Sequence, residues 1–479
     1  MSDFDQTTTP PQQSPPPPRN RPPRTTTSAK AVIAFFLGLS SFVFWLFTGL
    51  PAFILALQAK NDMRRNANIR GRGLANLALF TVFISFFAMP FFAMVFLIFG
   101  INSSGSSEDL AGDDGRIVHL HLSGFLSDAP VADSFMSFGV VSMSLSGLID
   151  AIEDAAYDES VHAIAITLNL FQPSLSQIEE LRVALKEFID EDKEIYVHSE
   201  EPVLGTGTYA LFSGVTQFNA VPTASINLIG ISSQSFYIKE GLEKIGVEAD
   251  MVHIGDYKSA GEMMMRNGPS EAADEANNWM IDSLYDSLVD MIATSKDLDP
   301  EEVKTIIDNG PYSAAQAVEQ DIIDSRMYLD ELTEQLRDKY GEDVYFDNNY
   351  ANLYEPTGSD SDSSSNWFSR DPEDIGLIFL TGNILPGYGQ AGAFSGTLRR
   401  ALDQAANDDS IAAVVIRIDS PGGSVTASEV ILRAVQRLNE KKPVVISMGS
   451  VAASGGYYVA CQADAIFANA TTITGSIGV

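Results

Sequence analysis

The sequence predicts an α/β protein built from tandem copies of one β/α unit, preceded by an α-helical transmembrane hairpin. Three observations carry this. Apolar runs with the character of strands buried on both faces, such as Ile411 to Ile418, alternate with helical spacing, such as Val425 to Leu438. Leu148 to Asn169 lays on Leu398 to Asp419 without a gap, which marks an internal duplication. Two apolar stretches, Ala31 to Ala59 and Gly73 to Ile101, are each long enough to cross a membrane as a helix.

In chain order, residues 1–30 are rich in Pro, Thr, Gln and Ser, including Pro15 to Pro18, and are expected to be disordered. Residues 31–101 form the membrane region. Between its two spans Lys60, Arg64, Arg65, Arg70 and Arg72 outweigh Asp62, so this loop is expected in the cytoplasm. Arg19, Arg21, Arg24 and Lys30 favour the same side, which leaves the side of the N-terminus open. Residues 102–114 form an acidic, Ser-containing linker without Lys or Arg, so the duplicated units are expected outside the cytoplasm, in a periplasm or its equivalent.

The first copy is assigned to residues 115–345, a Ser/Asp-rich linker to 346–372, and the second copy to 373–479, where it is expected to be C-terminally incomplete. The copies correspond in detail. Asp158 falls on Asp408 and Ser160 on Ser410; Ile195 to Ser199 matches Val444 to Met448; Gly205-Thr206-Gly207-Thr208-Tyr209 matches Ser454-Gly455-Gly456-Tyr457-Tyr458. Asn227 to Gly230 likewise resembles Gly475 to Gly478.

The second copy places Asp419-Ser420-Pro421-Gly422-Gly423-Ser424 at a strand's carboxyl end and Ala453-Ser454-Gly455-Gly456 after the next strand. In open α/β sheets ligands bind at that end. A Gly-Gly turn there lets backbone N–H groups approach a developing oxyanion. Ser454 is thus a candidate nucleophile, although on local context alone a serine there is more often a helix N-cap. A serine hydroxyl needs a base, most often histidine. The five histidines are His119, His121, His162, His198 and His253, and none follows His253, so a histidine triad within Ile254 to Val479 is excluded. The remaining candidate is Lys258 in Ile254-Gly255-Asp256-Tyr257-Lys258-Ser259-Ala260, ahead of Met263 to Met265. A lysine acts as a base only when neutral, which desolvation or a nearby cation favours; otherwise it is a solvated surface charge. Only the second copy has the serine and the glycine turn, and only the first has the lysine segment.

At these residues the chain resembles the signal peptide peptidase A family in its long, two-repeat form, membrane-bound Ser/Lys proteases with the Clp-protease/crotonase-like fold. The likeness covers roughly Gly115 to Val479. It implies Ser454 as nucleophile, Lys258 as general base, Ser476 of the Thr474 to Gly478 segment as the residue that orients the lysine, and Gly422 and Gly423 bordering the oxyanion hole. Read alone, Ser476 is an ordinary turn serine. The likeness further implies hydrolysis of remnant signal peptides and other small or unfolded peptides, no cofactor, location in a bacterial inner membrane, and a homotetramer. A non-catalytic membrane scaffold and an acyl-CoA enzyme using the same fold are the alternatives.

Composition sets the remaining bounds. With 63 Asp and Glu against 30 Lys and Arg, a formal net charge of −33 argues against a nucleic-acid partner. No metal-ligand spacing is present in the sequence, and the single cysteine, Cys461, excludes an intrachain disulfide and is expected to be buried.

Overall fold

In the computed structural model the described residues are 26–27, 54–61, 69–70, 76, 115–130, 143–354, 374–389 and 392–477. The chain divides into two compact units, Met1–Asp109 and Leu110–Val479. In the first, residues 54–61 are helical, and Thr26–Thr27 pairs in parallel with Ile69–Arg70. Most of the two apolar stretches, nearly all of the 1–30 segment expected to be disordered, the 102–114 linker and much of 346–372 lie outside the described residues. Among those described, no helix is long and apolar enough to cross a membrane.

Two parallel sheets organise the second unit. Strands β1 (Arg116–Phe125), β2 (Val161–Gln172), β3 (Glu194–Ser199), β5 (Gln217–Ala220), β7 (Ser325–Arg326) and β8 (Tyr345–Asp347) make the first, in the order β7-β5-β3-β2-β1-β8. Short strands β4 (Val203–Gly205) and β6 (Ser225–Asn227) pair beside it. The second sheet runs β9 (Asp374–Thr381), β10 (Ile411–Ser420), β11 (Val444–Ala453), β12 (Ala465–Ala468), and β13 (Ile473–Gly475) also pairs with β11. Both central strands read as apolar runs because helices cover the sheets. Ile164, Ile166 and Leu168 in β2, and Val414, Ile416 and Ile418 in β10, are almost fully buried.

The connecting helices start where the sequence supplies caps. Helix α1 (Leu145–Tyr157) begins at Ser144, whose hydroxyl accepts from Gly147 N–H, and α2 (Leu175–Asp190) begins in a capping box of Ser174 and Gln177. Helix α3 (Thr206–Phe212) follows β4, and the long α4 (Glu271–Lys296) begins at Ser270. In the second sheet's surroundings, α5 (Ser395–Asn407) precedes β10, α6 (Val425–Asn439) begins at Ser424, and the short α7 (Gly455–Ala460) follows Ser454.

Equivalent positions make the same local bonds. Asp158 Oδ1 accepts from the N–H and Oγ–H of Ser160, as Asp408 Oδ1 does from Ser410. Lys193 donates to the carbonyls of Ala155 and Asp158, and Lys442 to those of Ala405 and Asp408. Beyond residue 345, Tyr345–Asp347 adds β8 to β1, and Tyr350 is buried in the first core. The first sheet's body therefore runs past the sequence-based boundary at 345, because parallel pairing recruits that edge strand. Cys461 is exposed, contrary to expectation: it caps the C-terminus of α7, where the chain turns back out to solvent.

Candidate active site

Strands β10 and β11 both deliver their carboxyl ends to one loop cluster. After Ser420 the chain turns through Gly422 and Gly423, at φ +93° and +154°. A Cβ on Gly422 would lie 2.6 Å from Gly455 N, and one on Gly423 would lie 2.3 Å from Ile384 O, so both positions require glycine. The turn is zipped to Ile384: its N–H donates to Gly422 O at 2.9 Å, and its carbonyl accepts from Ser424 N–H at 2.9 Å.

Ser454 follows β11 in a strained conformation, φ 50° and ψ −114°, uncommon for a residue with a side chain. Its N–H donates to Gly475 O at 2.9 Å, while its own carbonyl accepts from Tyr458 N–H at 2.9 Å. Two bonds therefore hold the backbone while the side chain makes no hydrogen bond among the described residues. Strand β13 runs in register with the end of β11, Ala453 opposite Gly475, which carries Ser476 alongside the serine turn.

Lys258 comes from the first half of the unit. Its Nζ donates to Ser476 Oγ at 2.8 Å and to Ser476 O at 2.6 Å. The structure thus brings Lys258 to Ser476, and Ser476 beside the carbonyl that holds Ser454; no Lys258–Ser454 hydrogen bond is present.

The amides of this cluster are not equivalent. Gly422 N–H donates to Ser420 Oγ at 3.1 Å, and that hydroxyl donates to Gly382 O at 2.6 Å, so the Gly422 donor is already occupied. Gly423 N–H and Gly455 N–H have no acceptor among the described residues. The latter opens a helix, where the first N–H groups lack intrahelical partners. Gly455 was not singled out in the sequence as an oxyanion donor, since every helix start offers such an amide; the approach of Gly422 to it is what distinguishes this one.

Sequence reasoning also missed the clamp that holds the two halves together beneath the site. Arg417 of β10 is nearly buried, with Nε 2.9 Å from Asp128 Oδ2 and Nη2 2.8 Å from Glu180 Oε1. Gln177 donates to the other Asp128 oxygen at 2.7 Å. Glu179 of α2 accepts from Ala470 and Thr471 N–H at 3.0 and 2.8 Å, just ahead of β13, and Ser450 Oγ meets Ser174 Oγ at 2.6 Å. Asp419 Oδ1 accepts from Val451 N–H at 2.9 Å. Burial pushes the Asp419 carboxyl above the usual range, and the Asp128 charge adds to this.

The histidines serve elsewhere. His119 Nε2 lies 2.8 Å from Thr167 Oγ1 in the first sheet, and burial, helped by neighbouring His121, lowers its pKa to about 4. His198 is fully buried, and His253 is exposed, with Nδ1 2.9 Å from Gly255 O. Where the second half has Ser454, the first has Gly205 at the start of α3. Among the described residues no cluster could hold a metal ion.

Comparison with known proteins agrees with this architecture. The profile of peptidase family S49 matches residues 187–342 and 436–479. Protease 4 of Salmonella typhi is 30% identical over 79% of this chain and 63% of its own length. Protease 4 of Haemophilus influenzae is 27% identical over 82% of this chain and 66% of its own length. The chloroplastic serine protease SPPA of Arabidopsis thaliana is 29% identical over 76% of this chain and 53% of its own length. The chain therefore spans between half and two thirds of these relatives.

Proposed function

The chain belongs to peptidase family S49, and on that premise we propose that it is a membrane-anchored serine endopeptidase working through Ser454 and Lys258. The observation that carries this reading is the Lys258 Nζ to Ser476 Oγ bond of 2.8 Å, made beside the carbonyl that fixes the Ser454 backbone. In the reaction, neutral Lys258 takes the Ser454 Oγ proton as the oxygen attacks the scissile carbonyl. Gly423 and Gly455 N–H stabilise the oxyanion, while Gly422 keeps the turn close. Lys258 then returns its proton to the leaving amine. A water, deprotonated by the Lys258 amine, then attacks the acyl carbon; the ester bond to Ser454 Oγ breaks, the acyl group leaves as a carboxylic acid, and Lys258 returns the proton to Ser454 Oγ. Ser476 orients Lys258 by accepting hydrogen bonds from its amine at Oγ and at the carbonyl, which leaves the nitrogen lone pair for the Ser454 hydroxyl.

The finer parts of the reading rest on sequence. The fold is that of tandem Clp-protease/crotonase-like repeats, and the spans within 31–101 anchor it in a bacterial inner membrane with the repeats outside. Its substrates are remnant signal peptides and other small or unfolded chains, and it works as a homotetramer in contact with lipid. The positive loop between the spans supports the topology.

Trapping the acyl-enzyme tests the mechanism. A peptide p-nitrophenyl ester, quenched in acid after a brief incubation, should leave its acyl mass on the proteolytic fragment containing Ser454. An adduct elsewhere, or none on a folded chain that releases nitrophenol, contradicts it.

A further inference from the structure

We propose that Ser420 is a positioning residue for oxyanion stabilisation: its hydroxyl selects which amide of the Gly422–Gly423 turn meets the scissile carbonyl. This role rests on the proposed hydrolytic function and adds to it a residue outside the nucleophile and base. Ser420 is fully buried, and its hydroxyl is engaged both as donor and as acceptor. Oγ–H donates to Gly382 O at 2.6 Å, and Oγ accepts from Gly422 N–H at 3.1 Å. Gly382 is itself held, its N–H donating to Asp419 O at 2.8 Å. The bond to Gly422 N–H sets the plane of the Pro421–Gly422 peptide, because the N–H and C=O of one peptide unit are coplanar. The next peptide is set from the same loop, where Ile384 N–H donates to Gly422 O at 2.9 Å. The Gly422–Gly423 peptide is trans, so its N–H points the opposite way from that carbonyl, away from Ile384. Gly422 is buried and Gly423 exposed, so the amide left over is the one a substrate can reach.

The duplicated half supplies the comparison. Extending the gapless match by one residue places Leu170 at the position of Ser420. Leu170 stands at φ +55° and is 55% exposed, so its side chain leaves the turn that the serine closes. The amide that follows, Phe171 N–H, goes instead to the buried Glu201 carboxylate at 2.8 Å. The half without this serine thus has its loop held from a different side, and it lacks the glycine pair as well. In the second half, Ser420→Ala would leave Gly422 N–H buried without a partner, and only movement of the turn would give it one. Helix α7 rides directly over this residue, since a Cβ on Gly456 would lie 2.8 Å from Ser420 O. Movement of the turn therefore also reaches Gly455 N–H, so both proposed oxyanion donors depend on one hydroxyl.

The test compares the full chain, in detergent, with its Ser420→Ala, Ser420→Thr and Ser420→Cys variants. Each is read with a fluorogenic peptide and with two inhibitors built on one peptide, an aldehyde and the corresponding alcohol. The aldehyde adds to Ser454: the Oγ–C bond forms as the carbonyl π bond breaks, and the hydroxyl proton passes through Lys258 to the former carbonyl oxygen, which sits where the oxyanion would. The alcohol cannot add. Ser420→Ala should lower kcat about 10–100-fold with KM unchanged, and weaken the aldehyde by a similar factor while leaving the alcohol alone. Ser420→Thr, which keeps the hydroxyl, should recover most of both losses. If Ser420→Ala does not fold by circular dichroism, Ser420→Cys carries the test, with the same pattern and a smaller loss, because a thiol donates and accepts weakly. Parent-like kcat in the folded variant that lacks the hydroxyl overturns the proposal. Equal weakening of aldehyde and alcohol also overturns it, marking a collapsed site rather than a misaimed amide, as does a folded Ser420→Thr no faster than the variant without the hydroxyl. A parent chain that neither cleaves the peptide nor takes up the aldehyde at Ser454 contradicts the hydrolytic reading itself, and the role of Ser420 falls with it.

Discussion

Lys258 Nζ lies 2.8 Å from Ser476 Oγ, although 218 positions separate the two residues. The bond joins the lysine segment of the first half to the strand end that also holds Ser454 in place. Removing the hydroxyl leaves Lys258 only the Ser476 carbonyl, at 2.6 Å, which fixes one donor but no longer two. Ser476→Ala should therefore lower kcat by roughly 10–100-fold with little change in KM, the pattern for lost positioning of a base. Steady-state kinetics on a peptide substrate check this, and an unchanged kcat contradicts it.

The Gly423 position tests the oxyanion turn. At φ +154°, with Ile384 O where a Cβ would go, Gly423→Ala must displace the backbone that Ile384 zips in place. We expect a stability loss of about 1–3 kcal/mol by urea unfolding. Turnover should fall by about 100-fold or more, because one of the proposed oxyanion donors moves.

Arg417 and Asp128 test the clamp under the site. Both are nearly buried, at 9% and 1% side-chain exposure, so truncating one strands the other's charge. Arg417→Met should cost roughly 3–5 kcal/mol, and adding Asp128→Leu should recover part of it. Denaturant unfolding of the single and double variants decides; strictly additive losses would show that the two groups do not depend on each other.

A pH effect follows from Asp419. Its carboxyl is easier to protonate in the folded chain than at its unfolded value of 3.8. The stability it contributes is then complete below 3.8 and is lost as pH rises through the higher folded value. Asp419→Asn keeps an acceptor for Val451 N–H and removes that titration. Between pH 4 and 7 the Tm of the parent should fall by a few degrees more than that of the variant. Parallel Tm profiles contradict the assignment.

Much of this was legible in the sequence because it is encoded locally. Strand and helix periods surrounded Ser454, the gapless match of Leu148–Asn169 to Leu398–Asp419 exposed the repeat, and the histidine inventory directed attention to Lys258. The clamp was not legible, since Arg417 and Asp128 are 289 positions apart and no spacing rule links them. Nor could the sequence show that Gly422 spends its amide on Ser420, which depends on how the turn closes. The sequence-based boundary at 345 cuts through the edge strand Tyr345–Asp347, because three residues carry too little pattern to announce a strand.

The most direct test of the central claim is hydrolysis of a fluorogenic signal-peptide-like substrate by the parent chain, Ser454→Ala and Lys258→Ala, each matched for folding by circular dichroism. Both variants should lose at least about a thousandfold in kcat, each alone removing nearly all of it, because nucleophile and base act as one unit. Parent-like turnover in either variant would contradict the Ser454–Lys258 account.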